Sequence, residues 1–412
     1  MRILFITGSP PYPLNIGGNQ LAAQRLRALS RLGEVDLFLA LDEGDLPPAH
    51  LDEIRRNYRL VGLTAPALRG ERGVFRILRP AAPAWVDRVA DYLANRIRDY
   101  EPDPRLAAAI RRVMSSHVYD LVFGGGLPLA MKTGISPDFP FVLDVNDTEQ
   151  EWFKSQVDSP CSSVVARVVA ARRYSQLDRK IPELYRRFRH CGVIKPRDVE
   201  WPGLEHAKWL GIAFREPPEG LPPLAPSPPA SRLLLMLGSY YHRPNLEGLD
   251  WFVRRVWPTV RTQVPEAEFR IIGPGLSVER TAAYGRMLGI RVLGTVPSVA
   301  PHYQECACTI APIWSGAGIN IKILESYAYG RACVVTPFAF RGYDQCLVDP
   351  ESVRVGEETA AFAKACADLL SHAALRDQLA AAGQPRIQEC FGFERVARAV
   401  AALVKATSPA SA

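Results

Sequence analysis

Short apolar runs alternate with amphipathic stretches through the first half of the chain. The runs have the length of strands, and in the stretches between them apolar residues recur every three or four positions, which is the spacing of one helix face. The predicted strands are 3–7, 35–41, 60–63, 121–123, 141–145 and 192–194, and the predicted helices are 19–32, 84–98, 105–114 and 160–188. This alternation predicts a parallel sheet covered by helices on both faces.

A proline-rich stretch at 214–231 interrupts the pattern. So many prolines cannot lie inside a sheet or a helix, and the stretch is predicted to be a linker. Beyond it come strands at 233–237, 269–272, 291–293, 309–311 and 332–336, and helices at 245–256, 277–288, 299–305, 319–329, 358–370, 373–383 and 393–405. We therefore expect an α/β protein with two doubly wound domains, 1–213 and 232–385, and a last segment, 386–412, that holds the closing helix.

Length and composition agree with two soluble domains. A chain of 412 residues is too long for one core, and 48% hydrophobic with 23% charged residues is typical of globular proteins. No apolar stretch approaches the roughly 18 residues of a membrane span. The apolar run at 3–7 favours a first strand over a signal peptide. The expected location is the cytoplasm.

The eight cysteines are scattered, and only Cys306 and Cys308 lie close together in the sequence. A spacing of two places both on one face of a strand. Buried free thiols are the interpretation that fits their apolar surroundings, with a metal site as the alternative. Reduced cysteines are typical of the cytoplasm.

Basic residues concentrate at 167–190, although the net charge of the chain is only +7. Two interpretations stand for this cluster. It is a solvated helix face, or it is a surface that meets anionic lipid at the inner face of a membrane or an anionic acceptor. Nucleic acid is not expected as a partner, because no aromatic residues alternate with these charges in a groove-like pattern.

Glycines follow the predicted strands of the second domain. Gly238 follows the first strand, Gly294 precedes Val296 after the third, and Gly316 opens a small-residue loop, 316–318, after the fourth. Ligands of open parallel sheets bind beyond the carboxyl ends of the strands, and glycines let them approach the backbone. The sequence therefore predicts a binding site at this edge.

The loop at 316–318 leads directly into a predicted helix that carries Lys322 in its first turn. The amino end of a helix attracts anions, so a lysine is unfavourable there unless an anion lies between. Glu325 is three residues further on the same face. A phosphate-bearing ligand with hydroxyl groups beyond it would explain both charges; a surface salt bridge is the alternative.

Two features of the first domain point to the same edge of its own sheet. Gly17 and Gly18 come between the first strand and its helix, where a phosphate or an acceptor could reach the helix terminus, although two glycines are a weak signal. A polar cluster at 144–149, which includes Asn146, follows the strand 141–145. A helix cap with first-turn acids is the alternative interpretation of this cluster.

Taken together, these residues resemble the retaining GT-B glycosyltransferases, in particular the family-4 group. The strongest similarity is at 311–335, followed by 238–252 and 294–297. The resemblance covers essentially the whole chain. It implies the GT-B fold, with two Rossmann-like domains and a cleft between them. The first domain would lie on the acceptor side, the second would bind the nucleotide sugar, and the closing helix would cross back to the first.

The resemblance also implies roles for the site residues. Glu325 matches the second glutamate of the family's two-glutamate motif, which binds the donor's ribose. The remaining expected donor-binding residues are Gly17, Gly18, Gly238, Gly294, Val296, Gly316, Ala317, Gly318 and Ile319, with Lys322 on the diphosphate. No cofactor and no metal are expected, because helix amides and basic side chains would neutralise the leaving diphosphate.

Three positions depart from the family pattern. Ala317 stands where the first glutamate of the motif would be, and Asn146 aligns with the usual histidine of the first-domain loop. Asparagine can hydrogen-bond the donor sugar but cannot transfer a proton. After Gly238, His242 and Arg243 are approximate substitutes for the expected basic pair, or ordinary loop residues. Asn146, Lys322 and Arg243 are the predicted catalytic residues.

The predicted activity is hexosyl transfer from a UDP- or GDP-sugar to a hydroxyl acceptor, which is a glycan, a lipid-linked glycan or a small molecule. The family implies retention, in which the leaving phosphate takes the acceptor's proton, and a role in polysaccharide or glycolipid synthesis. A catalytically silent nucleotide-sugar-binding scaffold is the alternative. A nucleotide-sugar epimerase would need an acid–base set in the first domain that the sequence does not offer.

Overall fold

The computed structural model describes residues 1–14, 17–66, 100–214 and 226–407. The helix predicted at 84–98 and the centre of the predicted linker, 215–225, lie outside these ranges. Among the described residues, the predicted strands and helices recur with their boundaries moved by a few residues.

The first sheet contains seven parallel strands. They are β1 (Arg2–Thr7), β2 (Glu34–Leu39), β3 (Arg59–Leu63), β4 (Leu121–Gly125), β5 (Phe141–Val145), β6 (His190–Val193) and β7 (Lys208–Trp209), in the order β3-β2-β1-β4-β5-β6-β7. Every residue of β5 is buried, which is typical of parallel strands that helices cover on both faces.

The second sheet contains six parallel strands. They are β8 (Leu233–Leu237), β9 (Glu268–Ile272), β10 (Ile290–Gly294), β11 (Cys308–Ala311), β12 (Cys333–Val335) and β13 (Arg354–Val355), in the order β10-β9-β8-β11-β12-β13. Cys306 and Cys308 are both fully buried free thiols, as expected, but Cys306 precedes β11, so the two do not share a strand face. Among the described strands, the sequence analysis misses β7 and β13, because two residues are too few to show a period. It also predicts no helix at Pro48–Asn57, Leu127–Thr133 or Pro337–Phe340.

Helices connect the strands of each sheet. In the first half they are Gly17–Leu29, Pro48–Asn57, Pro104–Ser116, Leu127–Thr133, Glu149–Asp158 and Val164–Arg186. In the second half they are Arg243–Trp251, Trp257–Gln263, Val278–Gly285, Ala300–Glu305, Ile321–Ala328, Pro337–Phe340, Thr359–Ser371, Ala373–Phe391 and Phe393–Thr407. A π-helical turn, Phe252–Val256, joins Arg243–Trp251 to the next helix.

The contacts divide the chain into two units. Unit 1 takes Met1–Gln150, Ala171–Ile212 and the chain from Val396, and unit 2 takes Glu151–Ala170 and Ala213–Arg395, as far as these residues are described. Glu151–Ala170, which we call the crossing segment, precedes the sequence-based boundary at 213 but groups with unit 2. The chain therefore passes between units more often than the predicted linker and closing helix alone require.

One covalent link has no signal in the sequence. Cys346 and Cys390, 44 residues apart, form a disulfide in unit 2. The sequence analysis singled out neither cysteine. Spacing cannot reveal such a pair, because the fold alone brings the loop before β13 to the end of the helix Ala373–Phe391.

Candidate functional site

The strand order of unit 2 places its two most distinctive loops side by side. β8 and β11 are neighbours in the middle of the sheet, and the strands that follow each of them in the chain are added on opposite sides. The carboxyl ends of β8 and β11 therefore flank the point where the strand order reverses, which is where open α/β sheets bind ligands. The loop after β8 leads to the helix Arg243–Trp251, and the loop after β11 leads to the helix Ile321–Ala328. These two loops frame the candidate donor site.

Lys322 lies in the first turn of the helix Ile321–Ala328. Its Nζ donates to Oδ1 of Asn245 over 2.9 Å, and Nδ2 of Asn245 donates to the carbonyl of Ser239 over 2.9 Å. Desolvation lowers the pKa of Lys322 to about 8, whereas the negative charge of Glu325 acts to raise it. The loop after β8 thus fixes the position of the lysine that follows β11.

The amino end of this helix is suited to an anion. Its first turn contains no acidic residue, and the side chain of Asn320 makes no capping bond. Instead, Nδ2 of Asn320 donates to the carbonyl of Ala339 over 3.3 Å. The amides of Ile321 and Ile323 donate to the backbone carbonyls of Ile319 and Asn320. The dipole of the helix still favours a negative ligand beside this terminus.

Gly238 leaves room for the side chain of Asn245, which accepts the hydrogen bond from Lys322. A Cβ at position 238 would lie 3.1 Å from Nδ2 of Asn245, which is tighter than an ordinary contact. The missing side chain therefore leaves the space in which Asn245 reaches both Ser239 and Lys322. The backbone amide of Gly238 donates to the carbonyl of Ile272 over 3.1 Å.

The loop at 316–318 begins with a glycine that cannot readily be replaced. Gly316 has φ +128°, a conformation that L side chains rarely adopt. Its amide donates to Oγ of Ser155 over 2.9 Å. Ala317 is only 3% exposed, whereas Gly318 is exposed and Ile319 is half-buried.

Glu325 lies one turn beyond Lys322 and has its own anchor. The hydroxyl of Tyr303 donates to Oε2 of Glu325 over 3.1 Å. The ring of Tyr303 is fully buried and stacks on Tyr329 with 4.4 Å between ring centroids. Val296 packs against the apolar cluster that contains Tyr303. Val296 and Glu325, both predicted to bind the donor, therefore lie beside the same apolar cluster.

Gly294 completes a row of abutting strand ends. The amide of Gly273, after β9, donates over 2.8 Å to the carbonyl of Gly294, the last residue of β10. Together with the bond from Gly238 to Ile272, this joins the carboxyl ends of β8, β9 and β10 backbone to backbone. Gly238 and Gly294 thus belong to one continuous edge of the sheet.

His242 and Arg243 differ in their surroundings. The ring of His242 lies 6.0 Å from that of Trp152, and desolvation together with Lys322 lowers its pKa. Arg243 instead pairs with Glu247 over 2.6 Å on its own helix, with 56% of its side chain exposed. These contacts favour the ordinary-loop-residue interpretation for Arg243; its catalytic role stays a prediction.

In unit 1, the helix Gly17–Leu29 begins at the predicted glycine pair. A Cβ at Gly18 would lie 2.7 Å from Oγ of Ser9, so the amino end of this helix packs closely on the loop that leaves β1. Nδ2 of Asn19 donates to the carbonyl of Pro13 over 2.8 Å and fixes the same loop. The strands β1 and β4 flank the switch point of this sheet.

Asn146 follows β5 and is half-buried. Its Oδ1 is buried without a hydrogen-bond partner among the described residues. A buried acceptor of this kind costs free energy until it is satisfied, and a sugar hydroxyl is a suitable donor. Nδ2 of Asn146 lies near Gly125 at the end of β4, 3.8 Å from the place of a Cβ there.

Asp144, at the end of the same strand, has a structural role. Its carboxylate accepts from Nε of Arg25 over 2.7 Å, and both side chains are almost completely buried. Arg25 also donates to the carbonyl of Gly211 over 2.8 Å. This pair links the first helix to β5 and accounts for the acidic start of the cluster at 144–149 without a ligand.

The predicted site residues thus fall into two groups, one in each unit. Gly17, Gly18 and Asn146 belong to unit 1, and all the others belong to unit 2. The sequence analysis missed Asn245, Tyr303 and Ser155, which hold Lys322, Glu325 and Gly316. Asn245 lies in the stretch 238–252 that resembles the family and could have been singled out; Tyr303 and Ser155 lie on helices whose sequences carry no such signal.

Among the residues that the structure describes, none of the helices has the length and apolarity needed to span a bilayer. The basic cluster predicted at 167–190 lies mostly on the helix Val164–Arg186. Its arginines alternate with a buried face that includes Leu177, Ile181 and Tyr185.

Comparison with known proteins gives a family match in unit 2. Residues 231–372 match the family described as glycosyl transferases group 1, and this range contains both loops of the candidate donor site. No curated protein matches the chain. The glycosyltransferase enzyme that the sequence predicts is confirmed by the family match.

Solved structures share the fold over nearly the whole chain. Sucrose-phosphate synthase from Thermosynechococcus elongatus is 15% identical, with a TM-score of 0.65 and 98% of each chain covered. Anabaena HepE, solved with UDP and glucose, is 13% identical, with a TM-score of 0.61 over 98% of this chain and 100% of its own. S. aureus TarM, solved with UDP and α-GlcNAc-glycerol, is 8% identical, with a TM-score of 0.63 over 98% and 99%. The GT-B fold is confirmed.

Proposed function

We propose that this chain, a glycosyltransferase with a group 1 domain in a GT-B fold, moves a sugar from a nucleotide-diphosphate sugar to an acceptor hydroxyl with retention of configuration. One observation carries the proposal. Lys322, held by Asn245, lies at an uncapped helix terminus beside the loop at 316–318, and Glu325, held by Tyr303, lies one turn further along the same helix.

This arrangement supplies what the departure of a nucleoside diphosphate needs. The transition state of glycosyl transfer has oxocarbenium character, so negative charge grows on the leaving phosphate. The dipole of the helix and the ammonium of Lys322 would stabilise that charge. Glu325 would accept hydrogen bonds from the ribose hydroxyls, a contact that the free nucleotide also makes.

Asn146 would orient the donor sugar through its unpaired Oδ1. An amide cannot act as a general base, so the proposed reaction assigns the acceptor's proton to the leaving phosphate oxygen. That oxygen gains basicity as the glycosidic bond breaks and lies on the same face of the sugar as the acceptor in a retaining transfer.

The relatives support a UDP-sugar as the first donor to test. HepE is described in complex with UDP and glucose, and with UDP-glucose, and TarM with UDP and α-GlcNAc-glycerol. We propose UDP-sugars ahead of GDP-sugars on this ground, and a hydroxyl-bearing glycan, lipid-linked glycan or small molecule as acceptor in polysaccharide or glycoconjugate synthesis.

A panel of UDP- and GDP-sugars tests the proposal, first by thermal shift and then by product formation. We expect at least one nucleotide sugar to stabilise the protein and to give a product whose anomeric configuration, measured by NMR, equals that of the donor. Stabilisation without turnover with any acceptor would favour the catalytically silent scaffold. An inverted product would contradict the retaining mechanism.

Two variants of the helix Ile321–Ala328 separate an enzyme from a scaffold. Glu325→Ala should weaken the donor and the free nucleotide alike, because the ribose contact exists in the ground state. Lys322→Ala should lower kcat by about 10²–10³, the usual cost of losing a preorganised donor, and should raise the donor's KM less. Normal binding and turnover in both variants would show that the two charges form only a surface pair.

We also propose that the helix Val164–Arg186 rests on anionic lipid. Val164, Val165, Val168 and Val169 are between 49% and 76% exposed, and helical spacing places them on one face. The same face continues with Arg172 and Arg179, both exposed. Apolar side chains followed by arginines suit an interface of acyl chains and phosphates, where each basic residue contributes about 1 kcal/mol.

Vesicle co-sedimentation tests this surface. The parent should bind vesicles with phosphatidylglycerol and not vesicles of phosphatidylcholine alone, and Val165→Asp with Val168→Asp should abolish the binding. Val118→Asp is the matched control, because Val118 is 88% exposed but lies before β4, outside this helix. Equal binding of the double variant and the control would refute the lipid contact.

A further inference from the structure

The crossing segment lies on the donor loops of unit 2. Its first turns contact the ends of three strands, β11, β8 and β12. The contacts are a hydrogen bond from Gly316 to Ser155, a ring contact of His242 with Trp152 at 6.0 Å, and an ion pair of Arg341 with Glu151 at 3.5 Å. Three residues within five positions of one helix thus reach the loops that surround the candidate site.

Ser155 makes the most restrictive of these contacts. It is 2% exposed, and its Oγ accepts a hydrogen bond from the amide of Gly316 over 2.9 Å. The same oxygen lies 2.9 Å from the carbonyl of Gly316 and 2.8 Å from that of Trp152, and its single proton is donated to one of them. The hydroxyl therefore holds the amide of Gly316 and can in addition donate to its carbonyl.

Glycine needs such a restraint more than any other residue. It populates positive and negative φ about equally, and Gly316 is held at φ +128°. A rotation at this position would redirect the peptide groups of Ala317 and Gly318 and the entry into the helix Ile321–Ala328. Because the amide of Gly316 already bonds to Ser155, this amide is not the one that a phosphate would take.

We propose that Ser155 is a positioning residue for the loop at 316–318: it fixes the backbone of Gly316 so that the chain enters the helix Ile321–Ala328 in the orientation that turns Lys322 toward the diphosphate of the donor. This inference rests on the glycosyl transfer proposed above for its kinetic consequences. The restraint itself is a property of the ligand-free chain and can be measured without any substrate.

The experiment compares Ser155→Ala with Ser162→Ala. Ser162 also lies in the crossing segment and is 8% exposed, but its Oγ has no partner among the described residues. Hydrogen exchange in the ligand-free protein should show faster exchange of the amides at 316–319 in Ser155→Ala alone. The kinetics are then measured with the nucleotide sugar that the panel identifies, starting with UDP-glucose. In Ser155→Ala, kcat/KM for the donor should fall about tenfold, which corresponds to the loss of one hydrogen bond. The KM for the acceptor should stay constant.

Three outcomes would overturn the inference. Exchange at 316–319 that is equal in the two variants would show that Ser155 does not restrain the loop. Tighter donor binding in Ser155→Ala would show that the hydroxyl competes with the donor for Gly316. A loss of kcat/KM that Ser162→Ala shares would indicate a general packing defect. An inactive parent would refute the proposed function alone, since the exchange measurement still decides the role of Ser155.

Discussion

Lys322 owes its chemistry to neighbours from separate parts of the chain. Asn245 accepts its hydrogen bond, Glu325 supplies a nearby negative charge, and the helix terminus opposes its ammonium. The result is a lysine whose pKa is lowered to about 8 by desolvation. A bound diphosphate would stabilise the ammonium and raise this pKa again, so binding of the nucleotide should take up a proton near pH 8.

The affinity for UDP should therefore depend on pH. Below pH 8 the lysine is protonated with or without ligand, and the affinity is at its maximum. Between pH 7 and pH 9 the free enzyme loses the proton, and the dissociation constant should rise about tenfold. Calorimetry of the parent and of Lys322→Arg measures this, because the guanidinium stays protonated throughout. Parallel curves for the two proteins would contradict the assignment.

Arg25 illustrates a charge whose role is structural. Its pair with Asp144 is almost fully buried, so Arg25→Ala would leave a carboxylate without compensation, at a cost of about 3–5 kcal/mol in the free energy of unfolding. The control is Arg186→Ala, whose pair with Glu205 is more than half exposed on both sides and should matter by less than about 1 kcal/mol. Urea unfolding measures both; equal midpoints would refute the difference.

At the scale of elements, the end of β8 shows how one backbone position governs a distant side chain. Gly238→Ala should displace Asn245, because the added Cβ would lie 3.1 Å from its Nδ2. Lys322 would lose its partner, and KM for the donor should rise about tenfold, the worth of one hydrogen bond to a charged group. Gly285→Ala is the control, since a Cβ there meets nothing within 4 Å. Unchanged kinetics of Gly238→Ala would show that the residue at the end of β8 does not affect the position of Lys322.

The sequence predicts these elements well where apolar periods are long. The strands of both sheets, the glycine row and the helix that carries Lys322 follow from alternation and from the rule for parallel sheets. The anchors do not follow, because Ser155 and Tyr303 lie far from their partners in the chain, at 161 and 22 residues. Only tertiary contacts show that Cys346 reaches Cys390. Arg243 and Glu247, by contrast, are four residues apart on one helix, and their pair could have been predicted from the spacing.

At the scale of the whole molecule, the proposed neutralisation of the donor diphosphate rests on groups of the protein itself. If helix amides and Lys322 suffice, transfer should continue at an unchanged rate in EDTA, and added magnesium or manganese should not raise kcat. The measurement is initial velocity with the donor that the panel identifies, in protein freed of metals by dialysis. Loss of activity with EDTA and recovery with either ion would contradict the expectation.

The crossing segment has a consequence for synthesis on the ribosome. Ser155 leaves the exit tunnel about 160 residues before Gly316, its partner, and unit 1 receives its last contribution only from Val396 onwards. Proteins are made at about 5–20 residues per second, and domains usually fold as soon as they are complete. All seven strands of the first sheet precede Ala213, but unit 1 lacks its last segment until unit 2 has been translated. The surface that this segment covers should therefore stay exposed in the nascent chain for many seconds and need protection from aggregation throughout that interval.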